Sequence, residues 1–237
     1  MALPRLNDTP NHTMVIPSTG KKVSYRPYLV KEEKILLMAF ETNDEKQAMN
    51  AMVKCIEACI KEDIDINTFT TFDVEYCFLQ IRSKSVGETA DITIKCETEG
   101  CETPNEVQVN LSELKCSEST IDNVIELTDT ISVEMRYPYF KDMVEGVTDT
   151  SRTETEFAYE TIQNCIAGVQ GNEERYDASD VSESEMKEFL EQLTSSQFIK
   201  LAEWLEHMPK VKEDVKFKCK KCGTDNNHTL EGMQSFF

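Results

Sequence analysis

The chain has 237 residues, 39% hydrophobic and 29% charged, which excludes a disordered polymer and is long enough to bury a core without disulfide staples. With 44 acidic against 25 basic residues the formal charge is −19, a field that repels phosphate backbones and argues against nucleic acid as a partner. No apolar run approaches a bilayer span and residues 1–11 lack a secretory pattern; a reducing cytoplasm is expected, where nine cysteines serve metal binding and core packing better than a disulfide framework.

Two short strands open the chain, TMVIP at 13–17 and KVSYR at 22–26, around a turn at Gly20. VKEEKILLMAFE at 30–41 has the composition of a short helix. Asn43 is placed to cap a second, in which Ala48, Met52, Cys55, Ile56, Cys59 and Ile60 recur at helical spacing. A third runs from about 70 to 83, with Val74, Cys77, Phe78 and Ile81 on one stripe. The period then changes to two. Segments 88–95, 106–111 and 131–137 alternate as half-buried strands do, which predicts one small antiparallel sheet in the middle of the chain.

Helices resume after Pro138. Capping boxes at Thr153…Glu156, Ser182…Glu185 and Thr194…Gln197 mark three starts, since each hydroxyl and the side chain three residues on satisfy each other's backbone donors. The stripes that follow are Ala158, Ile162, Cys165, Ile166 and Val169; then Met186, Phe189, Leu190 and Leu193; then Phe198, Leu201, Leu205 and Met208, ended by Pro209. The polar stretch 168–182 reads as an exposed loop. Alternation returns at 214–218 and 227–230.

Four cysteines carry the clearest chemistry. Cys96 and Cys101 form a C-x4-C turn between two alternating strands, and Cys219 and Cys222 form a C-x2-C turn between two others. Two such hairpins packed side by side place four thiolates tetrahedrally around one zinc ion, a split zinc ribbon with the intervening helices as an insertion. Four protein ligands leave no open position, so the site is structural. A C-x2-C can also be a redox pair, but this one opens no helix after a strand, as a thioredoxin-type motif would. Glu97, Glu99 and Glu102 in one turn face Lys216, Lys218, Lys220 and Lys221 in the other, which predicts attraction between them. Cys55, Cys59, Cys77 and Cys165 read as core. Cys116 and His228 stay open as alternative ligands.

No phosphate-cradling glycine loop, G-x-S-x-G or H-E-x-x-H is present, and the carboxylates single out no acid–base pair. The expectation is no catalytic residue, no small-molecule substrate and no cofactor beyond structural Zn2+. The expected fold is α+β: a helical body with a small antiparallel β module forming the split zinc-ribbon-like site. Its segments are an extended arm at 1–28, helices at 29–86, a β segment with the first cysteine turn at 87–137, helices at 138–209 and a C-terminal hairpin at 210–237.

The opening VIPSTGKKVSYRPYLVKEEKILLMA, 15–39, and the ending from 189 to 237 resemble the baseplate hub subunit family of T-even-type contractile-tailed bacteriophages. The specific parts are STGK…RP…VKEEK and MPK…C..CG…LEG.Q.FF; CETEGC extends the resemblance to the middle, although its C-x4-C turn is wider than the family pattern. The resemblance implies a non-enzymatic subunit of the central hub that contacts other hub or tail proteins, assembled in the host cytoplasm and located in the virion tail. Two other readings stay open: a transient tail assembly chaperone absent from the particle, and a zinc-ribbon nucleic-acid binder, which the acidity opposes. Phe236 and Phe237 either fold back onto the ribbon or dock on a partner.

Overall fold

A turn through Gly20, whose φ of +66° suits a residue without Cβ, joins β1 (His12–Val15) to β2 (Lys22–Tyr25) in an antiparallel hairpin. The computed structural model describes residues 9–42, 44–148, 153–171 and 174–236. Alternation buries Met14, Ile16, Val23 and Tyr25. Helix α1 (Val30–Glu41) starts where the buried Glu32 carboxylate accepts the Leu29 N–H at 2.8 Å and meets the Arg26 guanidinium at 2.9 Å. Helix α2 (Glu45–Cys59) is capped by Asp44, which accepts the Gln47 N–H at 3.1 Å; the expected cap, Asn43, lies outside the described residues. Helix α3 (Thr71–Ser85) starts at a capping box between Thr70 and Asp73 that the sequence reading passed over. The second oxygen of this fully buried aspartate accepts the Ser18 N–H at 2.9 Å, which ties the opening turn to α3.

Helix α3 is buried on more than one side, with Phe72, Val74, Cys77, Phe78, Leu79 and Ile81 all withdrawn from water. With Asp73, Gln80 and Ser83 buried as well, this helix is enclosed on most of its faces and lies centrally in its unit. Beside it lie the hairpin of β3 (Thr89–Lys95) and β4 (Pro104–Asn110), and a three-stranded sheet of β11 (Asp225–Glu231), β10 (Val211–Lys218) and the short β5 (Lys115–Cys116), in that order. Leu79, Ile92, Ile94, Val109, Leu111, Val211, Val215 and Leu230 form one core with Phe236. The end of the chain therefore folds back: Phe236 is fully buried, while Phe237 lies outside the described residues. Phe236→Ala is expected to cost about 3–5 kcal/mol, read from the urea midpoint; a cost under about 1 kcal/mol, the range of surface changes, would show that the end anchors nothing.

The chain divides into two compact units. One runs to Ser117 and resumes at Lys210; the other is Glu118–Pro209. The second unit holds an antiparallel sheet in the order β6 (Val124–Glu126), β7 (Ile131–Met135), β8 (Ile166–Gly171), β9 (Glu174–Asp177). Its helices are α4 (Phe140–Thr148), α5 (Glu154–Cys165), α6 (Glu183–Glu191) and α7 (Ser195–Glu206). All three expected capping boxes are present, at Thr153, Ser182 and Thr194. Val133, Met135, Ile162, Cys165, Ile166, Leu201 and Trp204 make its core.

The fold is α+β, as expected, but three features differ. The strand at 131–135 is not in one sheet with 89–110; it pairs with β6 and β8 in the second unit. Alternation fixes which face is buried, not which strand is the neighbour. The helices likewise form no single body, α1–α3 belonging to the first unit and α4–α7 to the second. Finally, the stripe through Ile166 and Val169 leaves the helix. The helix ends at Cys165, and residues 166–171 with 174–177 form a hairpin where an exposed loop was expected. Gly168 permits it: a Cβ there would lie 3.1 Å from the Tyr176 carbonyl oxygen and 3.3 Å from the Arg175 guanidinium.

Candidate metal centre

Each hairpin of the first unit ends in a cysteine turn closed by its own backbone. In the β3–β4 turn the Cys96 N–H donates to the Thr103 carbonyl at 3.0 Å and the Cys101 N–H to the Thr98 carbonyl at 2.9 Å. In the β10–β11 turn the Cys219 N–H donates to the Thr224 carbonyl and the Gly223 N–H to the Cys219 carbonyl, both at 2.9 Å. The residue after the second cysteine is left-handed in both turns, Glu102 at φ +44° and Gly223 at φ +74°. The wider first turn takes up its extra length through Gly100, at φ +75°.

The four sulfurs converge. Every pair of Sγ atoms among Cys96, Cys101, Cys219 and Cys222 lies within 4.8 Å; Cys96 and Cys222 are 3.7 Å apart, and Cys101 and Cys219 are 3.8 Å apart. A tetrahedron with metal–sulfur bonds of about 2.3 Å has edges of about 3.8 Å, whereas a disulfide requires about 2.0 Å. These are therefore separate thiols at ligand spacing, and they can hold a metal ion. Cys96 and Cys219 are buried, Cys101 is half-buried and Cys222 is exposed.

At the C-x2-C turn the surroundings favour the thiolate, the form that binds metals. Backbone N–H groups of Cys222 and Lys221 hold the Cys219 thiol below its usual range, and the Lys221 N–H lies 3.5 Å from Cys219 Sγ. The hydroxyl of Thr224, 3.3 Å from Cys222 Sγ, and then the Thr224 backbone draw the Cys222 thiol down to about 6.

The two open alternatives lie elsewhere. Cys116 sits in β5 opposite Val211, packed against the apolar core, where burial first and Asp73 and Glu75 next push its thiol up to about 12. His228 places Nδ1 2.9 Å from a carboxylate oxygen of Glu97. The expected attraction between glutamates and lysines is not realised: among the described residues none of Lys216, Lys218, Lys220 and Lys221 reaches Glu97, Glu99 or Glu102, and Glu97 pairs with His228. Exposed ion pairs contribute only about 0–1 kcal/mol and do not decide how hairpins dock. The other four cysteines, Cys55, Cys59, Cys77 and Cys165, are buried. Cys165→Ser is expected to leave metal content unchanged and cost about 1–3 kcal/mol for a hydroxyl in an apolar site, by elemental analysis and thermal denaturation; metal loss would contradict its place in the second unit's core.

The sequence reading stopped at the cysteines and missed two asparagines. After the second cysteine of each pair the chain reads C-x-T-x-N, through Thr103 to Asn105 and through Thr224 to Asn226. That repeat was the available signal.

No curated protein and no solved structure matches the chain. Residues 9–237, which take in both cysteine turns and both units, match the family of the T4 bacteriophage base plate protein, and the chain belongs to that family.

Proposed function

We propose that this base plate protein is a subunit of the central hub. It acts through contacts with other hub or tail proteins, catalyses no reaction, and is retained in the virion tail after assembly in the host cytoplasm. Membership of a base plate family carries the structural tail role, and the resemblance of both chain ends to hub subunits supports the finer assignment. The cluster of Cys96, Cys101, Cys219 and Cys222 holds one structural Zn2+. Its edge lengths fit zinc–thiolate bonds, and four protein ligands close the coordination shell.

Helix α1 supports an assembly role. It buries Leu36 and Ala39 but exposes Val30, Ile35, Leu37 and Met38, of which Val30 is 78% and Leu37 57% accessible. So many exposed apolar side chains on one short helix suit contact with other proteins.

Quantitative mass spectrometry and zinc analysis of purified virions and hub assemblies test the proposal. The chain is expected in both at a fixed ratio to other hub proteins, with one zinc per chain. Its presence only in assembly intermediates would establish the chaperone reading instead. A salt-dependent shift with DNA or RNA at physiological ionic strength would establish the nucleic-acid reading.

A further inference from the structure

Six hydrogen bonds repeat across the centre with the roles of the hairpins exchanged. Asn105 Nδ2 donates to the Thr103 carbonyl of its own turn at 2.8 Å, while its Oδ1 accepts the Lys220 N–H of the other hairpin at 2.9 Å. Asn226 Nδ2 donates to the Thr224 carbonyl at 2.9 Å, while its Oδ1 accepts the Glu97 N–H at 2.9 Å. The same two threonine carbonyls accept the Cys96 and Cys219 N–H groups, at 3.0 and 2.9 Å. The cross-hairpin donors, Glu97 and Lys220, directly follow those cysteines in the chain.

Both asparagines are buried, at 4% and 8% accessibility. A buried amide without partners costs about 1–3 kcal/mol, so each is satisfied only when the hairpins sit in this one register. A carboxamide suits the task because it donates and accepts at once. Aspartate keeps only the acceptor and alanine neither. Asn105 Nδ2 also lies 3.8 Å from Cys219 Sγ, beside one of the sulfurs contributed by the other hairpin.

We propose that Asn105 and Asn226 are a matched pair of positioning residues, locking the two hairpins in register and so holding the four thiols at ligand spacing before any ion arrives. The consequence for metal affinity rests on the metal reading above; the register lock itself does not. Partners outside the ligand shell typically change metal affinity by about 10–100-fold, and they do so by fixing geometry.

Full-length Asn105→Ala, Asn226→Ala and the double variant test this with Co2+ as the probe, together with amide hydrogen exchange on metal-free protein. Metal-free wild type is expected to protect both cross-hairpin amides. Either alanine variant should expose both Lys220 and Glu97, since each loss frees the shared register. Cobalt affinity, read from the sulfur-to-metal charge-transfer band, should fall about 10–100-fold in each single variant. The double variant should fall by much less than the product, because either loss frees the same register. Asn227→Ala, an exposed neighbour, should match wild type. Where an alanine variant fails to fold, Asn105→Asp serves, and it should retain Lys220 protection while losing cobalt affinity. Unchanged cobalt affinity in all variants, or exchange at Glu97 and Lys220 as fast in metal-free wild type as in the variants, overturns the proposal. Wild type that binds no cobalt sinks the metal reading alone, and the exchange data still decide the lock.

Discussion

On the proposed four-thiolate zinc site, Cys96→Ser and Cys219→Ser should each lower zinc from one per chain to none, although one residue lies mid-chain and the other near the end. The two cysteines hold equivalent places, each the buried first member of its turn with its N–H bound to a threonine carbonyl. Either loss leaves three thiolates and a poor ligand. Zinc binding to four thiolates contributes about 10–16 kcal/mol in small fingers that fold only with metal. This unit already shares a core among α3, the two hairpins and Phe236, so a smaller part of that energy is coupled to folding. The expected cost is several kcal/mol, with both hairpins becoming protease-sensitive together, because an ion shared by the four thiols would join segments 118 positions apart in sequence and close a long loop. Helical circular dichroism should mostly survive chelation. Cys116→Ser, outside the cluster, should keep full zinc. Elemental analysis and limited proteolysis of the three variants decide the point: full zinc in Cys96→Ser beside none in Cys219→Ser would end the four-thiol assignment.

The parts of this fold that were legible in the sequence are those set by short-range chemistry. Helix starts at Thr153, Ser182 and Thr194 were plain because a capping box is complete within four residues. Helix α2 shows the limit of that logic. Asn43 and Asp44 are adjacent and both suited to capping, and the described cap is Asp44. Strand partners were not legible. The segment 131–135 alternates like 89–95, yet its neighbours lie at 124–126 and 166–171, a choice made by long-range packing. The helical stripe held through Ile162 and Cys165 but failed at Ile166 and Val169 for a related reason, since a short apolar run ending in β-branched residues fits a helix or a strand. Trp204 escaped the α7 stripe as read, although it is buried and stacks on Tyr137 with centroids 4.9 Å apart.

At the candidate metal centre the convergence of the four cysteines could be read and the residues that support it could not. Cysteine spacing between alternating strands is specific, because few other uses place two thiols at the tip of a hairpin. Asparagines are ordinary surface residues in most sequences. Only the exchange of bonds between Asn105 and Lys220, and between Asn226 and Glu97, shows what they hold. The charges misled in the other direction. Opposite signs in facing turns suggested attraction, but docking rests on buried amide-to-backbone bonds, and the lysine side chains stay in water.

Excising residues 118–209 and joining Ser117 to Lys210 through a short Gly-Ser linker should leave a folded, metal-binding first unit. The two ends already touch: the Ser117 N–H donates to the Lys210 carbonyl at 2.9 Å, and the Lys210 N–H donates to the Ser117 hydroxyl at 3.0 Å. Pairing of β5 with β10 continues that contact through Val211 opposite Cys116. Each unit has its own core, with no residue in common. Closing a flexible loop as long as the excised segment would cost about 4 kcal/mol, but neither protein bears that cost: the folded second unit bridges the touching ends in the intact chain, and the short linker does so after excision. The excised protein should therefore match the intact first unit within about 1 kcal/mol and keep full cobalt affinity. Residues 118–209 alone should fold as well, and the chain's single tryptophan makes the test clean. Trp204 is buried in the second unit's core, so its fluorescence reports that unit, whereas the cobalt band reports the first. In the intact protein, chelation should move the unfolding of the first unit and leave the Trp204 midpoint where it was. A Trp204 midpoint that falls with the metal, or an excised protein that no longer binds cobalt, would show that the two units fold as one.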